Sequence, residues 1–371
     1  MAGETLQNVF NALAQIMDNS LTREWNRTTY LLKWIAAAGG IAPGFGKNAA
    51  FDVEFTGATA GTVAEGADVA AGEFNSDVDE PAEFQWCTYR TSFQISEQLV
   101  DGARTSLGTP DKLRDLFGSR IISANAILAK AVEQDLLTGT GVDSNGNPAC
   151  IGIFGGALSA SGIYGGLNPV TYTEWASTLL ANGGTLRSLT AQLLNQADNA
   201  IFIAASLPWN LMVTSAGVAA KYEQFFMSGG GNAGNFPLAM QVPNTPTAPQ
   251  YGLGVALDAQ GQMDALQWKG KRVMRNPLGP TGKIAFLNTD FIKMQYLPHV
   301  PTRNEIEFFQ MLGLTGSSGD EPATRMTTPL PVRFVELAKT GDSHKISGRV
   351  TVALAITRRN AMAVIQDLLE V

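Results

Sequence analysis

Glu83-Phe84-Gln85-Trp86-Cys87-Thr88-Tyr89-Arg90-Thr91-Ser92-Phe93-Gln94-Ile95, with the chain that follows it to residue 138, decides the fold. Aromatic and β-branched residues favour an extended strand here, with Phe84, Trp86, Thr88 and Arg90 on one side and Gln85, Cys87, Tyr89, Thr91 and Phe93 on the other. Ser96 suits the cap of a short helical turn ending at Asp101-Gly102, and Thr109-Pro110 supplies an N-cap and a first-position proline for a second helix. Apolar residues then recur three and four apart at Leu113, Leu116, Phe117, Ile121, Ala124, Leu128, Ala131 and Leu136. No glycine or proline falls between Gly118 and Gly139. A helix over 110–138 is roughly 43 Å long at about 1.5 Å per residue, well beyond the ordinary helix of about 11–12 residues. It reads as a structural beam that stops at Leu137-Thr138-Gly139-Thr140-Gly141, before the turn Asp143-Ser144-Asn145-Gly146-Asn147-Pro148 and the resumption Ile151-Gly152-Ile153.

Upstream, Phe51, Val53 and Phe55 alternate with Asp52, Glu54 and Thr56 as an outgoing strand, and residues 57–81 are small, acidic and turn-rich. Asp52, Glu54, Glu65, Asp68, Glu73, Asp77, Asp79, Glu80 and Glu83 follow one another with no Lys or Arg between Lys47 and Arg90. A two-stranded ribbon of this length is marginal in water, so it calls for support from elsewhere. Two short amphipathic helices precede it, one carrying Leu6, Val9, Phe10, Leu13, Ile16 and Met17, the other Tyr30, Leu31, Trp34 and Ile35.

Downstream, Leu186, Leu189, Leu193, Ala197 and Ile201 line a helix behind Thr185 as N-cap. The run Trp209-Asn210-Leu211-Met212-Val213-Thr214 reads as a buried strand, and Ser215 caps a helix ending near Met227. Further strands are expected at 266–268, 272–274 and 284–287. Residues 298–331 connect two bodies, and 332–339 with 345–357 form a hairpin. There Ile346, Val350, Val352, Leu354 and Ile356 face one side, and Ser347, Arg349, Thr351 and Thr357 the other.

With 371 residues, 45% hydrophobic and 16% charged, the chain folds and has room for two or more domains. A net charge of −7 argues against a dedicated nucleic-acid binder, though a protein that only surrounds DNA need not be basic. Cys87 and Cys150 form no CxxC pair and read as buried apolar thiols. No signal peptide and no membrane-length apolar run is evident, so synthesis in the cytosol is expected. Gly40-Ile41-Ala42-Pro43-Gly44-Phe45-Gly46-Lys47-Asn48 fails the phosphate-loop spacing at Ile41 and Asn48. Asp143-Ser144-Asn145-Gly146-Asn147 fails as a calcium loop, because Pro148 and Phe154 occupy essential positions. Only His299 and His344 are present, and Val213-Thr214-Ser215-Ala216-Gly217 lacks the first glycine of a nucleophile elbow. No enzyme, cofactor or metal site is expected.

The ordered series of acidic extended segment, return strand, long helix, Leu-Leu-Thr-Gly-Thr-Gly stop and Gly-Ile resumption resembles the major capsid protein of tailed bacteriophages with the Hong Kong 97-type fold. The resemblance runs over nearly the whole chain and implies an α+β protein. Its parts would be an N-arm (1–48), an extended β-hairpin E-loop (49–95), a P-domain (96–170) with its spine helix (110–138), a mixed α/β A-domain (171–325), and a P-domain hairpin and closing strand (326–371). It implies a structural protein of the virion that self-assembles from pentamers and hexamers into an icosahedral shell around double-stranded DNA, without sequence-specific binding or a membrane. Assembly in the host cytoplasm, a separate scaffolding protein, a portal and a decoration protein accompany that reading. An encapsulin-like compartment of the same fold, or a soluble α/β enzyme closing the 229–234 loop over a substrate, are the alternatives. Inter-subunit contacts are expected between Glu73, Asp77, Asp79 and Glu80 near the loop tip and the basic residues Lys112, Arg114, Arg120, Arg349 and Arg358 of a neighbour.

Overall fold

The computed structural model describes residues 29–54, 79–96, 110–227, 254–257, 263–298, 330, 332–337 and 343–370. Helix α1 (Leu31–Ala37) ends at Gly39, whose φ of +70° turns the chain into strand β1 (Ile41–Pro43). Strand β2 (Ala49–Glu54) then pairs antiparallel with β3 (Asp79–Phe84), Ala49 opposite Phe84 and Glu54 opposite Asp79.

The return strand expected over 83–95 proves to be two strands, because β4 (Cys87–Ser96) opens separately after Phe84. In one continuous strand Phe84 and Cys87 would face opposite sides. The break at Gln85-Trp86 lets both be buried. Along β4 burial alternates, with Cys87 and Ile95 inside and Thr88, Arg90, Ser92 and Gln94 outside.

Helix α2 (Pro110–Thr138) is the long helix, 29 residues in one piece. Ile121, Ala124, Leu128 and Leu136 of the expected stripe are buried and Ala131 is half-buried. The side chains of Leu113, Leu116 and Phe117, and the turn expected at 96–101 beyond Ser96, lie outside the described residues. The buried face also takes in Asn125, Ala129, Val132, Glu133 and Leu137, so it is wider than an apolar stripe. The helix is gripped from two sides, by β4 and by the start of α1.

Strands β5 (Thr140–Val142) and β6 (Pro148–Ile151) form a separate hairpin. Its turn is held by Asp143, whose carboxylate accepts from the Asn145 and Asn147 amides at 2.8 Å each. A π-type turn (Ile153–Ala157), a 3-10 turn (Thr173–Trp175) and β7 (Thr178–Leu180) lead to α3 (Ala191–Ala205). That helix starts later than expected. Thr190, not Thr185, accepts from the Leu193 amide, and Leu186 is exposed. The chain before it is drawn away by the C-terminal segment, where the Arg187 amide donates to the Asp367 carbonyl.

The remaining strands and helix are β8 (Leu211–Thr214), α4 (Ala216–Met227), β9 (Gly254–Leu257), β10 (Met263–Trp268), β11 (Lys271–Arg275), β12 (Ile284–Leu287), β13 (Ile292–Tyr296), β14 (Arg333–Leu337), β15 (Ser343–Ile356) and β16 (Ala363–Ile365). One five-stranded sheet runs β1-β13-β15-β14, with β4 along the other edge of β15. A seven-stranded sheet runs β7-β16-β12-β8-β11-β10-β9. Two strands sit in different company from that given by the chain order alone. Strand β13 belongs to the five-stranded sheet, and the closing strand β16 lies inside the seven-stranded one.

The seven-stranded sheet is covered on both faces, which is why Leu211-Met212-Val213-Thr214 and Ile284-Ala285-Phe286-Leu287 are buried throughout. Leu211, Val213, Ala285 and Leu287 join the core shared with α2 and the five-stranded sheet. Met212, Ile284 and Phe286 join a second core under α3 and α4.

Candidate functional site

The acidic hairpin is rooted in an aromatic cluster. Phe51 of β2 stacks on Phe84 of β3 with centroids 5.7 Å apart, and Phe84 meets Tyr164 at 4.7 Å. Trp175 closes the group 6.2 Å from Tyr164 and 6.4 Å from Phe51. Contacts of this kind exceed what their buried area alone supplies. The Glu83 amide also donates to the Gly165 carbonyl at 3.0 Å, where Phe84 and Ala82 leave no space for a side chain on that glycine.

Behind the cluster sits Arg359, fully buried and without a carboxylate partner among the described residues. Its Nε and Nη2 donate to the carbonyls of Ala157 and Ser159 at 2.7 Å each. Its guanidinium lies 5.2 Å from the Tyr164 ring and 5.6 Å from the Trp175 ring. Burial pulls its pKa down to about 10, still cationic near neutrality. The residue next to it, Arg358, is exposed and donates to the Ala205 carbonyl at the end of α3, where a cation complements the helix dipole.

A second buried charge secures the opposite side. Glu133 of α2 accepts from the amides of Tyr30, Leu31 and Leu32 at 3.1, 2.7 and 3.1 Å, and from Asn276 Nδ2 at 2.8 Å. One carboxylate thereby fixes the start of α1, the long helix and the turn after β11. Desolvation raises its pKa, although the four hydrogen bonds oppose the rise.

The sheet β14-β15-β4 packs one face on α2, where the Tyr89 hydroxyl donates to Asp135 at 2.8 Å. Its other face is open and basic. Arg349 of β15 is register partner to Arg90 of β4 on one side and to Arg333 of β14 on the other. Arg90 and Arg349 are exposed, and neither is ion-paired with a carboxylate among the described residues. Hydroxyls surround them: Arg90 Nε donates to Ser347 Oγ at 2.9 Å, and Thr88 and Thr351 meet at 3.0 Å. Like charges directly opposite in a sheet destabilise it, so this row calls for an anion from elsewhere. At the outer end of the β2–β3 ladder, Glu54 and Asp79 are likewise register partners.

Of the residues singled out from sequence, Glu73 and Asp77 lie outside the described residues. Asp79 is placed by its register in β3. Glu80 is half-buried and accepts from the Tyr172 hydroxyl of its own chain, which raises the pKa of that tyrosine. Lys112 and Arg114 occupy the first turns of α2, and Arg120 is exposed further along it. Arg349 is brought together with Arg90, whereas Arg358 lies at the far end of β15. Glu133, the burial of Arg359 and the row of Arg90, Arg349 and Arg333 across the sheet were not found from sequence. Glu133 alone had a signal, since Ala129, Glu133 and Leu137 recur at helical spacing on a face that is otherwise apolar.

An open cleft of about 600 Å³ lies between α1 and the seven-stranded sheet, lined by Trp34, Pro208, Trp209, Lys271, Arg272 and Asp290 among others. Its cations already rest on its aromatics, Lys271 at 4.3 Å from Trp209 and Arg272 at 5.5 Å from Trp34. The 229–234 loop, which the enzyme reading needs, lies outside the described residues. No group of three His, Cys, Asp or Glu side chains suited to a metal occurs among them.

No protein-family profile matches the chain, and no curated protein resembles it in sequence. Solved structures do resemble it in fold. The capsid asymmetric unit of cyanophage A-1(L) aligns with a TM-score of 0.66 at 18% identity, covering 91% of this chain and 92% of that one. The fold is that of a viral capsid protein. Capsids of the GTA particle align likewise, the empty form at 0.54 and 11% identity over 91% and 89%, the native form at 0.52 and 12% over 90% and 91%.

Proposed function

We propose that this capsid fold serves its usual purpose here: the chain is the major capsid protein of a tailed bacteriophage, a structural component of the virion whose copies close into an icosahedral shell around DNA. The observation that carries this is the likeness to the cyanophage capsid subunit over nine-tenths of both chains. In this reading α2 is the spine helix, β2 and β3 begin and end the E-loop, and the five-stranded sheet belongs to the P-domain. The seven-stranded sheet with α3 and α4 is the A-domain, and residues 1–48 include the N-arm. Domain limits near 49–95, 96–170, 171–325 and 326–371 follow, with β13 lent to the P-domain and β16 to the A-domain. Pentamers and hexamers, a separate scaffold, a portal and a decoration protein complete the proposed assembly in the host cytoplasm.

Charge placement supports a specific contact. Carboxylates of the loop (Glu73, Asp77, Asp79 and Glu80) meet basic residues of a neighbour, drawn from Lys112, Arg114, Arg120, Arg349 and Arg358. Acidic residues are register partners at Glu54 and Asp79 and arginines at Arg90 and Arg349, so the two positions are complementary in sign. One exposed pair is worth about 0–1 kcal/mol, but every copy in a closed shell repeats it.

Electron microscopy of the purified protein tests the reading. Uniform closed particles containing DNA are expected when expressed with the packaging machinery. A small soluble oligomer overturns it, and closed particles that hold cargo protein and never DNA favour the compartment instead. Within a shell, Glu73→Gln, Asp77→Asn, Asp79→Asn and Glu80→Gln together slow low-salt assembly and flatten its salt dependence. Unchanged kinetics assign the tip to solvent.

A further inference from the structure

The sequence holds two Asn-Gly steps, Asn145-Gly146 and Asn182-Gly183, and the fold treats them differently. Asn145-Gly146 lies at the tip of the β5–β6 hairpin, where residues 142–148 are all exposed. Among the described residues, the hydrogen bonds that shape this tip run only between positions 143 and 147. The Gly146 amide donates to the Asp143 carbonyl at 3.1 Å, and the Asp143 amide to the Asn147 carbonyl at 2.9 Å. The Asp143 carboxylate takes Asn147 Nδ2 at 2.9 Å besides the two amides described above. The hairpin has no third strand to brace it, and such elements open locally. Gly146 has a φ of +79° and open space where a side chain would stand, so its nitrogen is not shielded.

Asn182-Gly183 is tied instead to the far end of the chain. The Asn182 and Gly184 amides both donate to the Asp367 carboxylate, at 2.7 and 3.1 Å. The Asn182 side chain donates to the Thr185 carbonyl at 2.7 Å. Freeing that carboxamide means breaking the bond to Thr185 and loosening the clasp of the C-terminal segment.

We propose that Asn145 is a spontaneous modification site, converted through a cyclic imide into aspartate and isoaspartate, while Asn182 keeps its amide. When the tip opens, the Gly146 nitrogen attacks Asn145 Cγ. A C–N bond forms, the side-chain nitrogen leaves as ammonia with the proton of the Gly146 amide, and a succinimide ring closes. Water then adds to either ring carbonyl and breaks its C–N bond. Cleavage at Cγ restores the peptide link as aspartate, whereas cleavage at the main-chain carbon leaves the chain running through the side chain as isoaspartate. Water is consumed and ammonia released, with no oxidant or reductant. Either product sets a new carboxylate beside Asp143, whose own carboxylate accepts from the amides of Asn145 and Asn147. Isoaspartate also lengthens the main chain before Gly146, so the Asn147 amide loses its place on Asp143. An aged chain thus carries an exposed charge that a fresh chain lacks.

The site stands on turn geometry and does not depend on the shell reading. The test incubates the full-length native protein in mildly alkaline buffer, with a parallel sample unfolded in urea, and follows both Asn-Gly peptides by mass spectrometry. Electron-transfer fragmentation separates isoaspartate from aspartate. In the native protein Asn145 should convert about tenfold faster than Asn182, because a hairpin tip opens more readily than a segment tied across the chain. In urea the two steps should convert at similar rates. Asp143→Ala removes the clasp of the tip and should speed conversion at Asn145 about fivefold, the worth of a hydrogen bond, while leaving Asn182 unchanged. Equal native rates at the two steps, an Asn145 amide that survives in the native protein, or an Asp143→Ala variant no faster than wild type would each overturn the proposal.

Discussion

Glu133 and Arg359 are the two fully buried charged residues of the described structure, opposite in sign and solved by opposite halves of the peptide bond. Neither takes a counter-ion. The carboxylate draws on three amides at the start of a helix, groups that any helix leaves unpaired. The guanidinium draws on the carbonyls of Ala157 and Ser159, at the end of the π-type turn and just beyond it, with two aromatic faces as a second support. The anion thus completes regular structure, whereas the cation substitutes for it. Removal of the cation should therefore damage more of the fold.

Replacing Arg359 with Leu is expected to have the largest effect, about 3–5 kcal/mol of lost stability in chemical denaturation, because buried carbonyls lose their donors. Arg359→Lys keeps the charge but not the fork of donors, and should recover less than half of that loss. If the leucine variant costs under about 1 kcal/mol, the segment from Ile153 to Tyr164 holds itself together and the contrast with Glu133 fails.

Glu133→Leu comes next, at about 2–4 kcal/mol, from stranding three amides and Asn276. Glu133→Gln should cost less and carries a pH signature. Because burial raises the folded pKa of Glu133 above its ordinary 4.5, the folded protein holds this proton more tightly than the unfolded chain does. Its contribution is fully present below about 4.5 and is lost as pH rises through the folded value. Wild type should thus lose stability relative to Glu133→Gln as pH increases across that window, measured by denaturant midpoints. A difference independent of pH would mean that folding leaves the pKa of Glu133 unchanged.

The smallest effect has the opposite sign. Asn125 is fully buried on α2, and neither its amide nitrogen nor its oxygen has a hydrogen-bond partner among the described residues. Unlike Glu133 two turns away, it gains nothing to offset its desolvation. Asn125→Leu should raise stability by about 1 kcal/mol. A loss instead would mean that Asn125 finds a hydrogen-bond partner outside the described residues.

Regular periodicity carried most of what the sequence disclosed. The three-and-four spacing of α2, the alternation of β15 and the apolar run at β8 each report burial on a face that the element's own geometry defines. Chain-distant meetings stayed hidden, because no local pattern records them. Arg90, Arg333 and Arg349 become a row only once β15 has paired on both sides, and the Cys150 amide reaches the Tyr89 hydroxyl only when β6 folds back. The late start of α3 failed for a related reason. Thr185 and Thr190 are equally good caps locally, and the choice is made by the segment after β16, where the Asp367 carbonyl takes the Arg187 amide.

That dependence on the C-terminal end has a temporal side. Strand β16 sits between β7 and β12, and β15 is the central partner of β4, β13 and β14. On a ribosome that delivers the chain from its N-terminus, neither sheet has its middle strand until β15 and β16 emerge. Until then β4 and β12 present unpaired edges, which favours chaperone capture over packing. The arrival of β15 and β16 therefore decides when either sheet can close.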